Sequence, residues 1–357
     1  MTALQHQRYT PPLALRRLST EGILEVAGLE GVFMKVVITD RSFDDIDLER
    51  AILERAGCTV FDTRSKDPTV LAAAVADADA VITQFAPINA DVIAAMGRAK
   101  AIVRYGIGYD NVDCEAARAR GIPVCNIPDY CIDEVADHTL AFILALTRQV
   151  VPHATKVGGG GWGLATGVEG FRTLASMTSG VVGAGRIGRG VIRRLVAFGG
   201  RVLVSDPAVA ESAIRDLGAE PVTLDRLLVE SDLITLHCPS LPQTRGIVGT
   251  ANLARMKPGV LIVNLSRGDL VDPAALVAAL DSGHVAGAAL DVFAPEPIPA
   301  GHAILGRANV ILAPHIASVS PAAVQRLRSG AAELAVMAIR GEPLPSVVNG
   351  VGLATRG

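Results

Sequence analysis

From residue 34 to about residue 315, short β-branched runs alternate with helical patterns, and a chain of this kind builds parallel sheets covered by helices on both faces. The predicted class is α/β. The predicted strands fall into two groups: 35–39, 58–61, 80–83, 101–104 and 122–125, then 180–183, 201–205, 233–236, 260–264, 287–290 and 310–313. Helical segments such as Ile46–Ala56 and Asp91–Met96 separate the strands of the first group. Between the groups lie an amphipathic helix over Asp133–Arg148, carrying Val135, Leu140, Ile143 and Leu144, and a glycine-rich loop from Gly158 to Gly170. A last amphipathic stretch, Pro321–Arg340, stops at Gly341.

A length of 357 residues exceeds what one hydrophobic core serves, so two domains with a cleft between them are expected. The net charge is −3 and no run of Lys or Arg builds a positive field, which argues against nucleic acid and anionic membranes as partners. The apolar stretches Thr139–Thr147 and Val260–Leu265 fall short of the ~20 residues a membrane span needs. Five cysteines, an odd number with no CxxC pair, indicate neither a disulfide framework nor a metal site and fit a reducing cytoplasm. The segment before Met34 is dotted with Arg8, Arg16, Glu21 and Glu25, so it reads as an extension, not a secretory signal.

The sharpest local motif is Gly183-Ala184-Gly185-Arg186-Ile187-Gly188, between the strand-like Gly180-Val181-Val182 and a helical run through Phe198. Glycine there permits a tight turn, lets backbone approach a pyrophosphate, and packs helix on strand, while the helix N-terminus offers unpaired N–H groups. Asp206 follows 18 residues after Gly188, at the end of the next strand, where a carboxylate can accept from both ribose hydroxyls. Its charge repels a 2′-phosphate, and Pro207-Ala208-Val209 bring no cation to hold one, so NAD is the expected cofactor and NADP is disfavoured. Taken alone, Asp206 could equally be a solvated turn aspartate.

A second signal is positional. Arg267 follows strand 260–264, Asp291 and Glu296 follow strand 287–290, and His315 follows strand 310–313. Ligands of open parallel sheets bind outside the carboxyl ends of the strands, so these segments converge on one crevice. Each residue also has a plainer reading: a surface ion pair for Arg267, a loop acid for Glu296, a hydrogen-bonded loop residue for His315. Together they fit hydride exchange with a 2-hydroxy acid. Imidazole, with an unperturbed pKa of ~6.5, can take the hydroxyl proton, and a neighbouring carboxylate orients the ring and favours its charged form. Arginine offers a planar fork for a substrate carboxylate.

These stretches, with Arg104-Tyr105-Gly106-Ile107-Gly108-Tyr109-Asp110-Asn111, Val135-Ala136-Asp137-His138, His237-Cys238-Pro239, Asn264 to Gly268 and Pro314 to Ser318, resemble the D-isomer-specific 2-hydroxyacid dehydrogenase family over residues 34–349. Within it the chain is similar to the phosphoglycerate-dehydrogenase-like and C-terminal-binding-protein-like branch. The resemblance implies two Rossmann-like domains: a doubly wound NAD-binding domain over 133–317, and a smaller flavodoxin-like substrate domain from 34–132 with 318–350, after an extension over 1–33. It implies Arg267, Glu296 and His315 as the catalytic set. It implies that Gly183, Gly185, Arg186, Ile187, Gly188, Asp206, Cys238, Pro239, Thr244, Leu265, Ser266, Arg267, Asp291, His315 and Ser318 meet the cofactor, with Asp291 on the nicotinamide amide. Gln84, Phe85, Ala86, Arg104, Tyr105, Gly106 and Ile107 would face the substrate with Arg267 and His315, Phe85 through its backbone; the plainer reading of Arg104 is a strand-end ion pair. A homodimer, formed through the cofactor domains and the helix 133–148, follows by the same resemblance.

The chain departs from its relatives in two places. Ser179 puts a polar residue where the first cofactor strand is usually apolar, and Ser318 stands where C-terminal-binding-protein-like members carry an aromatic residue, so an aromatic or thioether substrate is not supported. Trp162 is expected to pack near the domain junction. Two function classes are in play: an NAD-dependent dehydrogenase acting on a small D-2-hydroxy or 2-oxo acid, and an NAD(H)-responsive corepressor-like binding protein. The complete Arg267, Glu296 and His315 set favours the first.

Overall fold

Both groups of strands form parallel sheets in the computed structural model, which describes residues 34–352; the extension 1–33 and its predicted lack of a secretory signal lie outside the described residues. The first sheet contains β1 (Met34–Ile38), β2 (Cys58–Asp62), β3 (Ala80–Thr83), β4 (Ile102–Arg104) and β5 (Val124–Cys125), in the order β2-β1-β3-β4-β5. The second contains β6 (Thr178–Val182), β7 (Arg201–Ser205), β8 (Glu220–Pro221), β9 (Leu233–Leu236), β10 (Val260–Asn264), β11 (Val285–Leu290) and β12 (Val310–Leu312), in the order β12-β11-β10-β9-β6-β7-β8. Strand order reverses between β1 and β3 and between β6 and β9, which opens a crevice at the carboxyl ends of each sheet.

Six strands were expected in the second sheet; the seventh, β8, is a two-residue edge piece. Pro221 lacks an N–H, which a sheet tolerates at its edge. Ser179 does not interrupt β6: it is 3% exposed and sits in register with Val202 and Leu233.

The helix Ile132–Thr147 covers the second sheet beside the helix Arg186–Ala197. Gly190 permits their close approach, since a Cβ there would lie 3.2 Å from that of Ala136, and Arg194 bonds Asp133 at 2.9 Å and Asp137 at 2.7 Å. A further helix, Val150–Gly158, precedes the glycine-rich loop, begun by Gln149 at a φ of 54°. Trp162 is 87% exposed and packs against no junction, because the loop carries it outward.

The helix Pro321–Arg340 begins where Ser320 Oγ accepts from the Ala323 N–H at 3.0 Å, with proline in the first turn, and ends at Gly341 with a φ of 72°. Its Leu327, Ala331 and Ala335 pack with Val36, Ile38 and Val103 of the first sheet. Beneath it the fully buried carboxylate of Glu49 accepts from Arg328 at 2.8 and 2.7 Å and from the Tyr105 hydroxyl at 3.0 Å. Arg328→Leu removes the only cation on that carboxylate among the described residues. It should cost about 3–5 kcal/mol in chemical denaturation, whereas Tyr105→Phe should cost about 1 kcal/mol. Equal losses in the two variants would show that Glu49 is not held by its charge partner.

Candidate active site

The turn after β6 is built by close contacts. A Cβ on Gly183 would lie 2.6 Å from the His237 carbonyl carbon, one on Gly188 would lie 2.2 Å from the Gly183 oxygen, and Gly183 has a φ of 100°. Gly185 faces open space, and the helix that starts at Arg186 has no side-chain cap, so its first N–H groups are left for an anion. That is the cradle a pyrophosphate needs. Burial pushes His237 down to about 4, so the imidazole below the turn is neutral; its Nε2 lies 2.9 Å from Thr235 Oγ1. Asp206 accepts from the Ala184 N–H at 2.7 Å and from the Ala208 N–H at 2.8 Å, which ties the end of β7 to the glycine turn.

A cavity of about 370 Å³ opens from this turn, and Ile187, Cys238, Pro239, Leu265 and Ser318 line it. Ser266 Oγ donates to the Cys238 carbonyl at 2.6 Å, clamping two strand ends together. Burial pushes the Cys238 thiol up to about 11, so it stays protonated. The Thr244 hydroxyl donates to the Pro239 carbonyl at 2.6 Å and accepts from the Leu241 N–H at 2.8 Å, so it shapes the turn that follows Cys238.

Two of the predicted catalytic residues, Arg267 and His315, then line the same cavity, and Glu296 reaches it through its hydrogen bond to His315. His315 has a φ of 55°, a left-handed backbone that a non-glycine residue adopts only when held. Asp291, 1% exposed, holds it: its main-chain oxygen accepts from His315 N–H at 2.8 Å, and its carboxylate accepts from Ile316 N–H at 2.8 Å and Ala317 N–H at 2.9 Å. The structure therefore gives Asp291 a loop-building role in addition to the expected cofactor contact. His315 Nδ1 lies 2.8 Å from Glu296 Oε2, and Glu296 Oε1 accepts from the Phe293 N–H at 2.8 Å. Burial alone would raise the Glu296 carboxyl, but the His315 and Phe293 hydrogen bonds and the charges of His315 and Arg267 bring it below its ordinary value. Glu296 is thus an anion at neutral pH, Nδ1 carries a proton toward it, and Nε2 is left for the cavity. Arg267 donates from Nε to Asp110 at 2.6 Å and from Nη1 to the Ser266 carbonyl at 2.7 Å.

The first sheet supplies the opposite wall, and here several expectations are corrected. Asp40, at the end of β1, accepts from the Gln84 N–H at 2.9 Å and the Phe85 N–H at 2.7 Å, so the Phe85 amide is engaged and its ring, 6.3 Å from that of His315, faces the site instead. Gln84 Oε1 accepts from Ser42 N–H at 2.6 Å and Ala86 is fully buried, so both support the loop. The Tyr105 side chain is 1% exposed and points to Glu49, because it alternates with Arg104 across the end of β4. Gly106 and Gly108 make room for cations: a Cβ on Gly106 would lie 1.5 Å from Arg104 Nη1, and one on Gly108 would lie 1.2 Å from Arg267 Nη2. Sequence alone assigns no role to Asp40, Gly108 or Asp110, although Gly108 and Asp110 lie in the stretch Arg104–Asn111 that carries the resemblance and Asp40 ends the hydrophobic run Val36-Val37-Ile38.

Arg104 lines the cavity, yet among the described residues it has no ion pair, and its buried Nε finds no acceptor. Burial, and then the charge of Arg267, lower it to about 10. The plainer reading of Arg104, a strand-end ion pair, therefore finds no partner among the described residues, and the guanidinium is left unspent at the cavity wall. Arg104→Met should therefore leave the melting temperature equal or higher while weakening anion binding in the cavity. A melting temperature several degrees lower would reveal a structural role.

Residues 140–317 match the NAD-binding domain of D-isomer specific 2-hydroxyacid dehydrogenases. The chain is 41% identical over 286 residues to a D-3-phosphoglycerate dehydrogenase from Mycobacterium leprae, covering 79% of this chain and 53% of that protein. It thus spans about half the length of that relative. It is 40% identical over 279 residues to a glyoxylate reductase from Korarchaeum cryptofilum, covering 77% of this chain and 84% of that protein. Among solved structures it is similar to a D-lactate dehydrogenase from Aquifex aeolicus complexed with NAD and lactic acid, with a TM-score of 0.77, 29% identity and coverage of 86% and 96%. With its two parallel sheets and an Arg267, Glu296 and His315 cluster at their carboxyl ends, the chain belongs to the D-isomer specific 2-hydroxyacid dehydrogenase family.

Proposed function

We propose that this protein is an NAD-dependent dehydrogenase that interconverts a small D-2-hydroxy acid and its 2-oxo acid. The observation that carries the reading is that Arg267 and His315, from two different strand ends, line one cavity while Glu296, from a third, holds the far side of the imidazole. NAD, when bound, accepts or gives the hydride at its nicotinamide. The turn from Gly183 to Gly188 would hold the pyrophosphate, Asp206 would meet the adenine ribose, and the region of Asp291 and Cys238 would receive the nicotinamide. Arg267 grips the substrate carboxylate and leans on the oxygen at C2. In reduction His315 Nε2 gives that oxygen its proton, and in oxidation it takes the proton away. Glu296 keeps the ring oriented through Nδ1. The substrate domain comprises 34–132 with 318–350, and the cofactor domain 133–317. The corepressor-like alternative has no feature of the site in its favour.

We also propose a homodimer. Val150, Val151, Val157, Trp162, Leu164 and Val168 are all more than 40% exposed and follow the helix Ile132–Thr147, forming an apolar stretch of the kind a second copy covers. No helix among the described residues is long and apolar enough to cross a membrane, and the free thiols Cys58, Cys114, Cys125, Cys131 and Cys238 support a cytoplasmic setting.

A scan of 2-oxo acids with NADH, followed at the nicotinamide absorbance, tests the reading and identifies the substrate. His315→Ala should lower kcat by ~10²–10⁴ with NADH binding little changed. Glu296→Gln should lower kcat with the NADH Kd little changed, since it removes the anion that orients the ring; an unchanged kcat would reduce Glu296 to a loop acid. Arg267→Lys should lower kcat/KM by roughly tenfold or more while the NADH Kd stays within a few-fold. Asp206→Ala should weaken NADH and improve the relative use of NADPH; an unchanged preference would put ribose recognition elsewhere.

A further inference from the structure

Asp110 lines the cavity, and the chemistry proposed above gives it no task. Its carboxylate comes from the first sheet, in the turn after β4, while the guanidinium it meets comes from the end of β10 in the second sheet. The turn is well anchored: Asn111 Nδ2 donates to the Ala86 carbonyl at 2.8 Å, Ile88 N–H donates to the Asn111 carbonyl at 2.8 Å, and Asn126 Nδ2 donates to the Ile107 carbonyl at 2.7 Å. Arg267 is then restrained on three sides, by Asp110 on Nε at 2.6 Å, by the Ser266 carbonyl on Nη1 at 2.7 Å, and by the close approach of Gly108 to Nη2. A guanidinium has five N–H donors in a rigid plane, so a bond to Nε sets the direction of the outer two nitrogens. Asp110 is the only acid paired with Arg267 among the described residues, and its charge also acts on Arg104.

We infer that Asp110 is a positioning residue: by holding Nε of Arg267 from the opposite sheet, it aims the outer edge of that guanidinium at the 2-oxo acid. This rests on the substrate-binding role proposed for Arg267. It ties the aim of the arginine to the apposition of the two sheets, so a separated cleft leaves Arg267 unaimed. A competing role would be that of an internal anion occupying Arg267 until substrate displaces it. The two differ in sign. The Nε contact leaves the Nη2 donors and one Nη1 donor unspent, which is why positioning is the reading adopted.

The test compares wild-type protein, Asp110→Ala and Asp110→Asn as NADH complexes. KM and kcat are measured with the best 2-oxo acid of the scan, and the Kd of oxamate, an unreactive 2-oxo acid analogue, by calorimetry. Asp110→Ala should raise both KM and the oxamate Kd about tenfold and lower kcat, as loss of orientation does, without moving the NADH Kd or the melting temperature. Asp110→Asn keeps an acceptor within reach of Nε and should stay within about threefold of wild type in all constants. A lower KM in Asp110→Ala would make Asp110 a competitor and overturn the inference. So would constants unchanged in Asp110→Ala, or an Asp110→Asn variant as impaired as Asp110→Ala. If wild-type protein neither turned over a 2-oxo acid nor bound oxamate, the reading of Arg267 would fall first.

Discussion

The site depends on one buried carboxylate. Asp291 sits at the end of β11 with both oxygens and its carbonyl committed to the backbone of residues 315–317. Those bonds offset the cost of a left-handed histidine, on the order of 1–3 kcal/mol, and fix where the imidazole stands. Once His315 is placed, Glu296 can reach Nδ1, and the ring lines the cavity with Nε2 unspent. The dyad is therefore a product of backbone geometry as much as of two side chains.

Much of this was legible in the sequence because parallel sheets make position informative. A polar residue just after a buried β-branched run stands at a carboxyl end, and Arg267, Asp291, Glu296 and His315 were found in that way. The helix Pro321–Arg340 was legible to the residue, since serine, proline and glycine mark its ends. What stayed hidden depends on the fold's three-dimensional contacts. β8 has two residues, too few for any period to register. Tyr105 and Arg104 are adjacent, and only the register of β4 decides which one enters the core. Phe85 was assigned a backbone role that Asp40, far away in sequence, takes from it. Gly108 looks like any turn glycine until Arg267 is seen to lie across it.

Charge is distributed unevenly around the cavity. Arg104 and Arg267 both reach it, and Asp110 offsets the pair from one side only. Arg186, at the mouth, pairs with Asp129 at 2.6 Å, both more than 60% exposed and open to exchange for a phosphate. The lining thus holds positive groups in reserve, at some cost in folded-state repulsion, where a bound anion restores balance.

The helix Pro321–Arg340 also bears on how the chain is made. The second sheet and the helices from Ile132 onward come from one continuous stretch, whereas in the first sheet Val36, Ile38 and Val103, with Ile46 and Leu53 on the same face, are completed as a core only by residues 327–335. During synthesis from the N-terminus, that core stays incomplete while the later domain is made. Among the described residues, the sheet that is made first is therefore the last to be completed.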